Sequence, residues 1–356
     1  MKHLLAAALT FFPALAEAQS RFDAESAAIL QDGLIVTADE FILPGYVALS
    51  DGAARMEMAT EAYCSGAGSI EAAQEGFAET FLAWQRISVI QIGPISAGKG
   101  PMRVQVWPDP KGFSRRAVRA AVLSEDPALL AEGALEGHSV ALVNLTALET
   151  LLFKALERES YACGLATAIA GYQSGLARDI AADWEASAFR TAFDTAATGN
   201  DTYRDVDTLM RAFLAGTVVY TDRLRKFKLQ RGLGSSAGEA RPERSEARKS
   251  GLGLRSIEVS FAALRDLYEL PYGFFDVTPD AGGSMDFFVL GETAGSISAT
   301  LSFEDRTLDD ILTEDGQLAE ELRRFAELTL FHEDYLKVGL PASIGLTAGF
   351  TSADGD

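Results

Sequence analysis

Thr146 and Glu149 stand three residues apart ahead of an apolar run containing Leu148, Leu151 and Leu152. This T-x-x-E spacing is that of a capping box, in which a hydroxyl and a carboxylate each satisfy a backbone N–H at a helix start. A helix N-terminus is also an anion site, so the same pair leaves a ligand-contact role open. A second chemical cluster is the basic island of Lys226, Lys228, Arg231, Arg241, Arg244, Arg248, Lys249 and Arg255, interrupted only by Glu239, Glu243 and Glu246. Guanidinium groups at such density can hold a carboxylate-bearing ligand, such as a haem propionate, a ferric chelate or a peptide terminus. They can equally pair with the chain's own surplus carboxylates. The tail Asp354-Gly355-Asp356 offers hard oxygen donors suited to Ca²⁺ or Fe³⁺.

Histidine chemistry is scarce. Of three histidines, His138 is followed three residues on by Ala141 and His332 by Tyr335, so neither builds the HExxH pattern of a zinc peptidase. His332 falls on an apolar helix face and reads as a core histidine. Trp107-Pro108-Asp109 reads as a shaped, buried turn. The two cysteines, Cys64 and Cys163, lack the CxxC spacing of a redox pair, and no CxxCH attaches a haem.

The elements that must position these groups are helices. Leu49, Gly52, Ala53, Met56, Ala59 and Tyr63 recur at helical spacing after an expected kink at Pro44. Ser69 is placed to cap a helix carrying Phe77, Phe81 and Trp84. Asp126-Pro127 reads as a cap followed by a first-turn proline. Further stripes run from Leu165 to Trp184, from Val206 to Phe227 and from Leu318 to Leu336. The heptad of the second ends at Lys228, too short for an intermolecular coiled coil. Two segments interrupt the helices: residues 93–113, whose alternating Met102–Trp107 run suggests a strand or hairpin arm, and residues 228–253, expected to form a long loop. The Gly199-Asn200-Asp201 turn is the expected boundary between halves 19–198 and 199–356.

Of 356 residues, 48% are hydrophobic, which excludes global disorder. A net charge of −20 argues against general nucleic-acid binding. Residues 1–18 carry a short positive start, an apolar run and Ala16-Glu17-Ala18, the pattern of a signal peptide cleaved after Ala18. A soluble exported protein, most simply periplasmic, is expected, with no transmembrane segment after signal removal. In that oxidising space Cys64 and Cys163 are expected to pair, with two separate buried thiols as the alternative.

Trp84 with GPIS at 93–96, WPDPKG at 107–112, LTALETLLF at 145–153, RKSGLGLRSI at 248–257 and LPASIGLTAGFTSADGD at 340–356 together resemble the imelysin-like family of exported bacterial proteins. The resemblance covers most of the mature chain, roughly residues 35–345 as one domain. It implies an all-α fold of two packed bundle-like halves with a functional site near their interface. Relatives include an insulin-cleaving metallopeptidase, iron-regulated proteins and a component of ferrous-iron uptake. The peptidase label rests on a GxHxxE motif. Here Asn144, Thr146 and Glu149 occupy its glycine, histidine and glutamate, so a hydroxyl replaces the imidazole and makes a poor ligand for a transition metal. The resemblance therefore implies a non-peptidase of iron or haem acquisition, with Thr146, Glu149, Trp107, Asp109, Arg248, Ser250 and Asp354 as candidate binding residues. The alternatives are a metal-dependent hydrolase using Glu149, and an interaction module for an iron-uptake membrane or peroxidase partner.

Overall fold

A computed structural model describes residues 22–278 and 306–343. The expected signal peptide, Asp354 and the rest of the tail lie outside the described residues. The chain is all-α, as the periodicities require, and no strand occurs among the described residues.

Helix α1 runs continuously over Ala24–Cys64 and has the length and mean hydropathy, 1.3, of a membrane span. Half of that apolar window is buried inside the protein, the pattern of a core helix. Pro44 does not break it. A π-helical turn at Ala38–Ile42 immediately precedes the proline, and the Leu43 N–H reaches back to the Ala38 carbonyl. The register is thereby shifted where proline supplies no N–H, and the helix continues.

Helix α2, Ile70–Ile87, starts where Ser69 accepts from the Ala72 N–H, as its sequence predicts. It packs along α1 at very short range. A Cβ added to Gly76 would lie 2.8 Å from the Met56 Cα, so only glycine permits this approach. Across the other side of α1 lies α6, Tyr161–Glu185, and Cys64 and Cys163 are joined in a disulfide that ties the end of α1 to its first turn.

Between α2 and α6 come shorter helices, among them α3 (Gly100–Val104), α4 (Phe113–Ser124) and α5 (Leu145–Leu152). The expected strand at Met102–Trp107 is thus half helix. Gly100-Pro101 starts a turn, proline being well suited to an N-terminal position, and only Gln105 onward is extended before Pro108 and Pro110. Asp126 caps as expected, accepting from the Ala128 N–H, but the result is a single 3₁₀ turn at Pro127–Leu130.

Beyond the Gly199 turn, α7 (Val206–Arg223) is capped by Asp205 and passes into a π-helical turn at Leu224–Gln230. Helix α8, Gly253–Tyr268, follows the basic segment, and α9, Gly316–Asp334, carries the last stripe. Leu322, Phe325, Thr329, His332 and Leu336 are all buried there, as the spacing predicts. Apolar side chains from before and after Gly199 join one continuous core. Arg86 on α2 pairs with Asp266 on α8 at 2.8 Å, and Arg225 pairs with buried Glu333 of α9 at 2.9 Å.

Candidate functional site

The cap of α5 is Asn144, not Thr146. The Asn144 carboxamide oxygen accepts from the Thr146 and Ala147 N–H groups at 2.8 and 3.2 Å, so the helix starts two residues earlier and the Thr146 N–H that the Glu149 carboxylate would have taken is already satisfied. The expected capping box is therefore absent, and both of its members are released for other contacts. Thr146 donates its hydroxyl proton to the Val106 carbonyl at 3.0 Å, fixing the extended segment that leads to Trp107.

Glu149 is turned inward and is 6% exposed. Its Oε1 accepts from both the backbone N–H and the hydroxyl of Ser250, each at 2.9 Å. Loss of solvent raises its pKa, and the bonds from Ser250 and the charge of Lys249 only partly offset this. Lys249 in turn donates to the Thr150 hydroxyl at 2.7 Å, and burial lowers its pKa despite the nearby Glu149. The basic segment is thus pinned to α5 by three polar contacts from two consecutive residues, Lys249 and Ser250.

The segment reaches this position through a tight turn. Ala247 holds a φ of 47° and Gly251 one of 75°, and the Leu252 N–H closes back on the Ala247 carbonyl at 3.1 Å. Left-handed backbone at a non-glycine residue is strained, and it persists here because its neighbours are held on both sides. Glu246, just before it, is buried, and Ser250 just after is bound to Glu149.

A cavity of about 370 Å³ opens between α5, the 105–115 segment and residues 243–249. Thr146, Glu149, Trp107, Asp109 and Arg248 all line it, together with Lys111, Arg115 and Lys249. Five of the seven candidate residues are brought to one cavity, and Ser250 joins them through its bonds to Glu149. Asp354 lies outside the described residues. Their present contacts differ. Asp109 accepts from the Phe113 and Ser114 N–H groups at 2.7 and 2.9 Å and so starts α4. Arg248 makes an exposed pair with Asp309 at 3.4 Å. Trp107 is half-buried, is joined to Pro108 by a cis bond and carries the Arg231 guanidinium 5.8 Å from its ring centroid, while the hydrogen-bonded turn lies one step on, closed from Gly112 N–H to the Asp109 carbonyl.

Beneath this cavity lies a polar network that the sequence did not disclose. Buried Lys228 pairs with Glu246 at 2.5 Å and also donates to Gln85 and Ser256. The other Glu246 oxygen accepts from the Gln105 amide at 2.8 Å, and the Gln105 carbonyl oxygen accepts from Trp84 Nε1 and Gln85. Burial lowers the Lys228 pKa, while Glu246 works to raise it. Lys228 had marked the end of an apolar stripe; instead it extends that stripe inward. A partial signal was in the sequence: Lys228 falls one helical step beyond Leu224, with an acidic residue 18 positions on.

The model of the imelysin family, classed among the peptidases, matches residues 42–323. The chain belongs to the imelysin family. Among solved structures, an imelysin-like protein from Psychrobacter arcticum 273-4 superposes with a TM-score of 0.73 at 18% identity, covering 92% of this chain and 98% of that one. A protein described as an iron-regulated protein A precursor, from Parabacteroides distasonis ATCC 8503, has a TM-score of 0.64 at 13% identity, over 90% and 97%. Both likenesses concern the fold. Comparison with curated protein sequences gives no match.

A catalytic metal is what a peptidase of the imelysin family would need at Glu149, and the residues present do not fit one. The Thr146 hydroxyl is committed to Val106, Glu149 Oε1 already takes two hydrogen bonds, and the nearest cation-bearing neighbour is Lys249. Among the described residues no three His, Cys, Asp or Glu side chains converge as a ligand set. His332 is buried, accepts from or donates to the Tyr268 hydroxyl at 2.7 Å, and has its pKa pushed down to about 3 by burial, in keeping with a core role.

Proposed function

We propose that this imelysin-family chain is an exported binding protein of iron or haem acquisition, without peptidase activity. It takes a carboxylate-bearing ligand in the cavity over Glu149, where halves 19–198 and 199–356 meet. The observation that carries this reading is the charge of the cavity rim. Lys111, Arg115, Arg248 and Lys249 line it against three carboxylates, Asp109, Glu149 and Glu243, leaving a small positive excess in a protein of net charge −20. Local reversal of sign concentrates anions at that rim against the field of the whole molecule. A cavity of about 370 Å³ suits a small ferric carboxylate chelate, or the propionate edge of a haem.

Glu149 has a part in this scheme. A carboxyl whose pKa is raised by burial carries a proton more readily, and in that form donates a hydrogen bond to an incoming carboxylate. The Cys64–Cys163 disulfide supports an oxidising compartment such as the periplasm. The iron-regulated structural neighbour supports the physiological setting.

The test is titration of protein purified from periplasm with ferric citrate and with haemin, followed by calorimetry and visible absorption. Saturable binding at micromolar ligand, weakened by added salt and by Arg248→Glu, is expected. No heat and no spectral change with either ligand at tens of micromolar would remove the reading. Stoichiometric zinc with peptide turnover abolished by Glu149→Gln would replace it with the hydrolase, and co-purification of a protein partner without ligand affinity would replace it with an interaction module.

A further inference from the structure

A second, smaller cavity of about 40 Å³ is lined by Trp107 together with Arg223, Lys228 and Glu246. It is separate from the Glu149 cavity, although Gln105 and Trp107 line both. Its volume admits only one or two particles of water size.

The charges around it do not cancel. Lys228 and Glu246 neutralise one another, and the three protons of the ammonium are all taken by Glu246, Gln85 and Ser256. Arg223 also lines the cavity, and its one hydrogen bond goes to the Trp107 carbonyl at 2.7 Å. It makes no ion pair among the described residues, so one positive charge is left in excess. The Trp107 indole N–H is a buried donor without an acceptor. The Ser88 and Tyr220 hydroxyls both commit their protons to the Gln85 carbonyl, so the donors left to the cavity are Arg223 and the indole. A partly buried guanidinium and a tryptophan with an orphaned indole N–H line one small cavity, and water, being neutral, satisfies such donors only in their hydrogen bonds.

We propose that this inner cavity is a binding site for one small monovalent anion of halide size, held between Arg223 and the Trp107 indole N–H. The anion balances the excess charge and accepts from the orphaned donor at once. Removing it leaves a guanidinium uncompensated next to the Lys228–Glu246 pair. The proposal is independent of what occupies the outer cavity.

Crystals of the protein soaked in bromide are expected to show an anomalous peak within hydrogen-bond reach of both Trp107 Nε1 and Arg223. In solution, replacing gluconate by chloride at constant ionic strength should move the Trp107 indole N–H resonance saturably. Arg223→Gln should weaken this response by roughly tenfold or more, the scale of one charge-assisted hydrogen bond. Trp107→Phe keeps the ring and removes the donor, so it should lower bromide occupancy even if Arg223→Gln fails to fold. Density that refines as water in the bromide soak, or an indole resonance indifferent to chloride, would overturn the assignment. So would a bromide peak unchanged in both variants.

Discussion

Two buried titratable side chains pull the stability of this protein in opposite directions with pH. Glu149 has a folded pKa above the ordinary glutamate value, because burial disfavours its charge. The folded state then binds a proton that the unfolded state has released, so stability is lost as pH rises from the ordinary value through the raised one. Glu149→Gln keeps an acceptor for Ser250 without the charge and should flatten that limb of the curve. His332 does the reverse. Its pKa falls from 6.5 to about 3, so the unfolded chain takes up the proton first and stability is lost as pH drops through that interval. His332→Gln should reduce the acid-side loss, although it also perturbs the bond with Tyr268. Melting temperatures of both variants against pH test the two signs separately; parallel curves for wild type and both variants would refute them. At this scale Glu149 and His332 were singled out from sequence, and the core setting of His332 followed from its place on an apolar face. The partner of Glu149 did not, because Ser250 lies 101 residues away.

Among the helices, the contact of α1 with α2 and α6 is the tightest structural commitment. Gly76 sits against the Met56 backbone, and backbone cannot give way as a side chain can. Gly76→Leu is therefore expected to cost at least about 1–3 kcal/mol in urea unfolding, the scale of overpacking. The disulfide adds a covalent tie on the other face of α1, across a separation of 99 residues. Replacing both cysteines by serine should cost about 2–4 kcal/mol, with a correspondingly lower urea midpoint; equal midpoints for the oxidised and the serine forms would count against it. Helix positions, the Ser69 cap and the buried stripe of α9 were legible because amphipathic periodicity and caps are local. The capping box at Thr146 does not form because Asn144, an equally good cap, stands two residues earlier, starts the helix there and takes the Thr146 N–H.

Across the molecule, the Lys228–Glu246 network ties α2, the 105 segment, the π-helical turn after α7 and the start of α8 into one unit. Lys228→Met would leave a buried carboxylate uncompensated, and a loss of about 3–5 kcal/mol is expected. Adding Glu246→Leu should recover a large part of it, since an apolar pair no longer carries an unpaired charge. A double-mutant cycle in urea measures this coupling, and additive losses would show that the pair does not act as a unit. The same network supports the wall of the outer cavity from below, because Ala247 and Arg248 follow directly on Glu246. Loss of Lys228 should therefore also weaken ligand binding at the rim.

The sequence alone determined that the chain is helical, which faces of its helices are buried and that its motifs are those of the imelysin family, because hydrophobic period, capping residues and short motifs are properties of neighbouring positions. Only the tertiary structure decided that Glu149 meets Ser250, that Lys228 is interior and that the basic segment forms a cavity wall. Those facts depend on side chains separated by up to 143 positions and on the loss of water around them, neither of which is written in any local stretch of sequence.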